Sequence, residues 1–405
     1  MSGQIDRPNS PLDPARRPGF PEVARDALGT PLQPTVVYRS AGPDALDDIY
    51  EGRADGFTYA REGHPNAASL AARIDAMEGG QGGVVLGSGM AAITAVLLGI
   101  CKAGDHVVGG NQLYGKSLKM LREDLPRLGI STTLADAGDA ASIAAAIRPE
   151  TRIVMVEVVS NPTLRAADIA AIAEATHAAG ALLVIDNTFT TPRGFQAFEH
   201  GADIVVHSVT KLLAGHSDVT LGYACARDSA LNEAIGWANA TFGLTASPYD
   251  CWMAERGLAT FALRYDRAEE NAAALAEHLA AQPGVRRVLY PGRADHPDGA
   301  RMRALLGTRF GNMVSFEVDG GRAAANAMVA AMPDLPFAPT LGDVGTTLSH
   351  PATSSHRGLT PEGRAELGMS EGFFRISVGI EDIDLLRREF TAGCAAAHAA
   401  AQAAA

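Results

Sequence analysis

One lysine stands among groups that would make its amine chemically useful. In HSVTKLLAGHSD, Lys211 follows a β-type run and is flanked by Ser208 and Thr210. An amine at the carboxyl end of a strand can form a Schiff base with a carbonyl compound and then act as a base; a lysine taken alone is more often a solvated surface charge. Upstream, Asp186 closes ALLVIDNT, a run so apolar that its terminal carboxylate needs solvent or a cationic partner to offset desolvation. The nitrogen of a pyridoxal ring is such a partner, because a carboxylate there keeps the nitrogen protonated and makes the ring an electron sink. Capping of the next turn is the other use for an aspartate in that place.

A third element is GSGM, residues 87–90, where a Gly-rich turn leaves VVL and opens the helical run AAITAVLLG. Free amides at a helix start bind anions, and Ser88 adds a hydroxyl, so a cofactor phosphate fits here. The same residues satisfy G-x-G-x-x-A, with Asp105 near the offset of a ribose-binding acid, which keeps an NAD-dependent dehydrogenase as a rival. Against that rival, the turn lies far into the chain, and a dehydrogenase leaves Lys211 and Asp186 unexplained. In FTYAREGHPN, Tyr59 and Arg61 stand two residues apart on one side of an extended segment and suit a phosphate, or are plain surface residues. Tyr114, in LYGKS, can stack on a ring and pass protons, or pack half-buried. Arg375, in FFRISVGIEDID, sits in an apolar strand, where its guanidinium calls for a substrate carboxylate or an internal Asp or Glu.

These residues need a scaffold that gathers strand ends. Between residues 80 and 225, GGVVLG, GDHVVGG, GISTTLAD, TRIVMVEVV, ALLVIDN, ADIVVHS and VTLGYAC alternate with helical stretches, which predicts an α/β fold with parallel strands and a ligand at their carboxyl edge. A long helical segment through WMAERGLATFALRYDRAEENAAALAEHLAAQPG leads to GVRRVLYPG, NMVSFEVDGG and EGFFRISVG, strands of a smaller α+β domain. The expected division is an N-terminal arm over 1–60, a large domain over 61–260 and a small domain over 261–405. The polar, Pro-rich start reads as an extended arm without a secretory core, and CAAAHAAAQAAA as a fraying helix end. Val84 to Cys101 is nearly long enough for a membrane span, but the glycines at 87 and 89 make it a short strand and a buried helix. A net charge of −12 and the absence of a basic run exclude nucleic-acid binding. Cys101, Cys225, Cys251 and Cys394 lack metal or disulfide spacing, so no metal is expected and a reducing cytoplasm fits.

In order along the chain, TYAREGHP, LGSGMAAI, LYGKS, EVVSNPT, IDNTF, HSVTKLLAGHSD, TLGDVGTTLSHPATSSH and FRISVGIED resemble the cystathionine and methionine family of pyridoxal 5'-phosphate enzymes, from about residue 30 to 390. That family includes cystathionine γ-synthases and γ-lyases, methionine γ-lyases and acylhomoserine sulfhydrylases. The resemblance implies the type I aminotransferase fold, catalytic homodimers with shared sites paired into homotetramers, and a small amino-acid substrate. It assigns Lys211 to the Schiff base, Asp186 to the ring nitrogen, Tyr114 to the ring face, and Ser88, Gly89, Met90, Ser208 and Thr210 to the phosphate. Tyr59 and Arg61 would enter the neighbouring subunit's site, and Asn161, Thr340 and Arg375 would face the substrate.

The sequence departs from the family pattern at His64-Pro65-Asn66, at Lys116, at Pro339 before LGD, and at Gly345. The expected reaction is γ-elimination from a sulfur-containing or homoserine-derived amino acid, giving 2-oxobutanoate and ammonia. Lys211 would be anchor and base and Tyr114 the proton donor, with γ-replacement on an O-acylhomoserine as the alternative.

Overall fold

The computed structural model describes residues 29–404. The chain divides into two units, Met1–Pro31 and Leu32–Ala405, and the second carries both sheets. Of the arm expected over residues 1–60, residues 1–28 lie outside the described residues.

Each Val/Ile-rich run becomes a strand: β1 Val84–Leu86, β2 His106–Gly110, β3 Ser131–Ala135, β4 Thr151–Glu157, β5 Leu182–Asp186, β6 Ile204–Ser208 and β7 Gly222–Ala226. They form one sheet in the order β1-β7-β6-β5-β4-β2-β3. Strands β3, β2, β4, β5 and β6 are mutually parallel, as their helical crossovers require. The sheet is mostly parallel, as expected, and the exception is β7, which runs antiparallel to β6 and β1. Its connection from β6 holds no helix and is closed at its base, where Thr210 N–H donates to Leu221 O (3.2 Å) and Leu221 N–H to Thr210 Oγ1 (2.9 Å). The chain therefore returns beside the strand it left.

Strand alternation sends Val184 and Val206 to one face, against the helix Gly89–Ile100, and Ile185 and Val205 to the other, against the helices Pro65–Glu78 and Ile169–Ala178. The 84–101 stretch is a strand and a helix, and among the described residues no helix is long and apolar enough to cross a membrane.

The second sheet is antiparallel, ordered β10-β11-β9-β8, from β8 Val285–Leu289, β9 Met313–Val318, β10 Thr347–Ser349 and β11 Phe373–Ser377. Three residues of β10 are too few to show a period in the sequence. The long helical segment is interrupted, giving Pro248–Leu258 and Phe261–Ala280. The tail reading needs correction: Ile383–Ala404 is one helix, and Cys394 and Ala397 are buried in the core around Phe316, Phe374 and Phe390. Small side chains let it lie close, since a Cβ on Gly320 would meet Ala401 Cβ at 2.6 Å.

Candidate active site

A cavity of about 270 Å³ opens at the carboxyl ends of the parallel strands. Its wall includes the last residues of three strands, Glu157 of β4, Asp186 of β5 and Ser208 of β6. The start of the helix Gly89–Ile100 brings Ser88, Gly89 and Met90, and the β6–β7 loop brings Thr210 and Lys211. Tyr114, Asn161, Thr340 and Arg375 complete the set. Of the sequence-predicted residues, only Tyr59 and Arg61 lie elsewhere. Arg61 is half-exposed, donates to Ala240 O (3.0 Å), and sits 5.4 Å over the Tyr59 ring.

The helix start is built for an anion. Ser88 caps it by accepting from Ala91 N–H (3.0 Å), which leaves the first amides without helical partners. Close approach of helix and sheet depends on glycine: a Cβ on Gly89 would stand 2.6 Å from Ser208 Cβ, and one on Gly222 would collide with Ser88 O. Ser208 N–H donates to Thr188 Oγ1 (2.7 Å), and the Thr210 hydroxyl is engaged by Leu221.

Asp186 is buried and accepts Thr188 N–H (3.0 Å), with no ion pair among the described residues. Burial raises its carboxyl, and the Thr188 hydrogen bonds and the charge of His207 pull it back in part. Beside it, Glu157 is held well above the carboxylate range by burial first and by Asp186 second. Its Oε1 accepts the Tyr114 N–H (2.7 Å), which fixes the start of the short helix that aims Tyr114.

Lys211 Nζ donates to Thr340 Oγ1 (3.3 Å), and burial, then Arg375, lowers its amine below the lysine value. Arg375 lies on β11. It donates through Nη1 to Asn161 Oδ1 (2.8 Å) and through Nη2 to Thr340 O (2.6 Å), while Nε has no partner. Burial pushes this guanidinium down to about 10. Among the described residues no internal Asp or Glu pairs with it, and both partners are neutral.

The cavity thus joins an anion-binding helix start, a buried carboxylate without a counter-ion among the described residues, a buried amine of lowered basicity and a desolvated guanidinium. A ring with a basic nitrogen, a phosphate tail and a carbonyl meets the first three, and pyridoxal phosphate is such a group. No group of three or more metal-ligating side chains occurs among the described residues. The dinucleotide reading fails on position, because Asp105 precedes β2, at the edge opposite the cavity, and accepts from Lys102 N–H (2.8 Å). Sequence reasoning missed Glu157, although it ends TRIVMVE as Asp186 ends LLVID, and it missed Thr188, Ser354 and Ser355, which also border the cavity.

The family described as Cys/Met metabolism PLP-dependent enzymes matches residues 20–395. An O-succinylhomoserine sulfhydrylase of Pseudomonas aeruginosa is 38% identical over 362 residues, 89% of each chain. An L-methionine gamma-lyase of Pseudomonas putida is 38% identical over 353 residues, covering 87% of this chain and 86% of the relative. A solved cystathionine gamma synthase from Xanthomonas oryzae pv. oryzae, in complex with cystathionine, superposes with a TM-score of 0.88 at 35% identity, over 94% of this chain and 96% of that one. With a match that spans nearly the whole chain and a cavity whose donors suit the cofactor, this protein belongs to the Cys/Met metabolism family of pyridoxal phosphate-dependent enzymes.

Proposed function

We propose that this enzyme catalyses γ-elimination from a sulfur-containing or homoserine-derived amino acid, releasing 2-oxobutanoate and ammonia. The observation that carries this reading is Arg375: a fully buried guanidinium with two neutral partners and a free Nε, facing the same cavity as Lys211, suits the carboxylate of an amino acid.

Pyridoxal phosphate, when bound, supplies a carbonyl for an amine and an aromatic system that accepts electron density from the substrate's Cα. Lys211 Nζ, a buried amine whose basicity is lowered, would hold that carbonyl and, when freed from it, would be the base that reaches the substrate's Cα and Cβ protons. The Tyr114 hydroxyl gives a proton to the departing γ-substituent. Asp186 keeps the ring nitrogen protonated. The Gly89 and Met90 amides, with the hydroxyls of Ser88, Ser208 and Thr210, hold the phosphate. Asn161 and Thr340 steer Arg375 onto the substrate carboxylate.

The same reading takes residues 1–60 as an arm, 61–260 as the cofactor-binding domain and 261–405 as a smaller domain. Tyr59 and Arg61, which lie outside their own chain's cavity, then complete the phosphate site of a partner in a homodimer that pairs into a homotetramer. Four buried, unpaired cysteines suit the cytoplasm. The second reading is γ-replacement on an O-acylhomoserine, favoured by the sulfhydrylase and synthase relatives and by Pro339, which puts an apolar ring in the cavity wall.

Purified enzyme supplied in turn with methionine, cystathionine, homocysteine and acylhomoserines separates the two. Elimination yields 2-oxobutanoate from at least one of them without an added thiol. A product formed only when a thiol is present, with no 2-oxobutanoate, selects replacement.

A further inference from the structure

Arg375 is flanked by two serines in the second sheet. Ser315 of β9 lies directly opposite it on one side and Ser349 of β10 on the other. Residues opposite each other in an antiparallel pair share a face, so the guanidinium rises between two small hydroxyl side chains, both buried. The alternate residues Val314, Phe316 and Phe374 turn to the other face, into the core around Phe390.

The two serines are used differently. Ser349 Oγ donates to the carbonyl of Arg375 itself (3.2 Å) and stays within the sheet. Ser315 has no exposure (0%), and its Oγ leaves the sheet to donate to Pro162 O (2.6 Å). Pro162 follows Asn161, whose Oδ1 accepts from Arg375 Nη1 (2.8 Å). Ser315, Pro162, Asn161 and Arg375 therefore close a ring, completed by the pairing of β9 with β11.

The segment held in this way cannot be relied on to hold itself. Residues 158–166 leave β4 and double back, with Leu164 N–H donating to Ser160 O (3.0 Å) and Val159 bridged to Ala166. Leu164 stands at φ +54°, a left-handed backbone that a leucine adopts at a cost and keeps only where its surroundings impose it. Asp298 grips the returning limb, accepting from Arg165 Nε (2.6 Å) and Ala166 N–H (3.0 Å). At the tip, beside Asn161, the Ser315 hydroxyl holds Pro162. A serine needed only for packing could be an alanine, but an alanine here leaves a buried carbonyl without its donor next to the residue that orients the guanidinium.

We propose that Ser315 is a positioning residue for substrate recognition: through Pro162 it fixes Asn161, and through Asn161 it fixes the orientation in which Arg375 meets an amino acid's carboxylate. This role rests on Arg375 being the partner of that carboxylate. Ser315 is not part of the cavity wall, so it touches neither substrate nor cofactor. Its loss is felt in carboxylate binding and not in the proton transfers at Lys211.

The test measures the binding of glycine and of glycinamide to holoenzyme, through the change each makes in the visible spectrum of the bound cofactor. Both carry the amine, only glycine carries the carboxylate, and neither has a γ-substituent to lose. The ratio of the two dissociation constants reports the carboxylate contact, kcat for the best substrate reports the chemistry, and thermal unfolding reports the fold. Wild type should favour glycine strongly, and Arg375→Met should abolish the preference. Ser315→Ala should cut the preference about fivefold, the loss expected for one neutral hydrogen bond, with kcat within about twofold of wild type. Ser349→Ala, in the same row but not bonded to the 158–166 segment, should keep the wild-type preference. Added to Asn161→Ala, Ser315→Ala should cause no further loss, because the two act along one path. An unchanged preference in Ser315→Ala overturns the proposal, and so does an equal loss in Ser349→Ala, which marks a general loosening of the strands. A further loss in the double variant overturns it too, since Ser315 then acts by another route. If Arg375→Met keeps the wild-type preference, Arg375 is not the carboxylate's partner and both readings fall; if Arg375→Met loses it and Ser315→Ala does not, only the role of Ser315 falls.

Discussion

Replacing Arg375 with methionine keeps an unbranched stem as far as the position of Nε and removes the charge and all the donors. In the native protein two of those donors reach Asn161 Oδ1 at 2.8 Å and Thr340 O at 2.6 Å, and Nε is left over. A fork so constrained can close on a carboxylate in one orientation, inside a site where the ion pair is shielded from water. Breaking a buried charged pair costs about 3–5 kcal/mol, so kcat/KM for the amino-acid substrate should fall by roughly two to four orders of magnitude. Fold stability should change far less: Asn161 and Thr340 each lose a donor, at about 1–3 kcal/mol, and the removal of a desolvated cation offsets this. The assay compares kcat/KM for the best substrate and for its carboxamide, in wild type and in Arg375→Met, with thermal unfolding as a control. Wild type should prefer the carboxylate strongly, and the variant should treat the two compounds alike. A loss below about tenfold, or an undiminished preference for the carboxylate, would refute the assignment of Arg375 to the substrate.

Lys211→Ala should lack the visible absorbance of covalently held cofactor and lose nearly all turnover, because anchor and base vanish together; retention of about a tenth of wild-type kcat rejects the role. Arg61→Ala should weaken cofactor binding by about 1–3 kcal/mol, and mixing it with Lys211→Ala should restore activity in hybrid dimers, where one site has both residues. Parental activity after verified subunit exchange places Arg61 outside any shared site. The pH dependence of stability should report Glu157. Its folded carboxyl is raised, so its contribution is favourable below the unfolded value near 4.5 and is lost as pH climbs toward the folded one. Glu157→Gln should therefore raise the unfolding midpoint relative to wild type more at pH 8 than at pH 4, and calorimetry showing the reverse order contradicts a raised Glu157 carboxyl.

Strand-end chemistry was readable in the sequence because it is local. Asp186, Ser208 and Lys211 stand where an apolar run stops, and GSGM marks its own turn. The reversal of β7 was not readable, since it depends on Thr210 and Leu221 meeting across a loop. Glu78 and His207 lie 129 residues apart, and neither has a neighbour in sequence that announces a buried pair. Glu157 carried the same strand-end signal as Asp186 and could have been found with it. Arg375 was recognised as a buried cation, but only the folded chain reveals that its partners are an amide and a carbonyl. The Ala-rich tail misled because low complexity suggests fraying, whereas small side chains are what allow the helix to nestle against Gly320.

The loop that carries Lys211 is gripped from two directions. Arg264, on the helix Phe261–Ala280, donates to the carbonyls of Leu212 (2.9 Å), Leu213 (3.0 Å) and Gly257 (2.9 Å). From the segment that leads into β10, Val344 N–H donates to Gly215 O (2.9 Å), and Gly342, at φ +83°, lies so near that a Cβ would stand 2.5 Å from Leu212 N. The lysine is thus mounted like a bolt: both ends of its loop spring from the first sheet, and the nuts are threaded on by residues that come after the break between the helices. A chain cut at that break keeps Asp186, Ser208, the anion-binding helix start and the Thr210–Leu221 closure of the loop, yet it loses Arg264, Gly342 and Val344 together with the guanidinium that faces the lysine. The first sheet and the residues after the break therefore hold the Lys211 loop jointly.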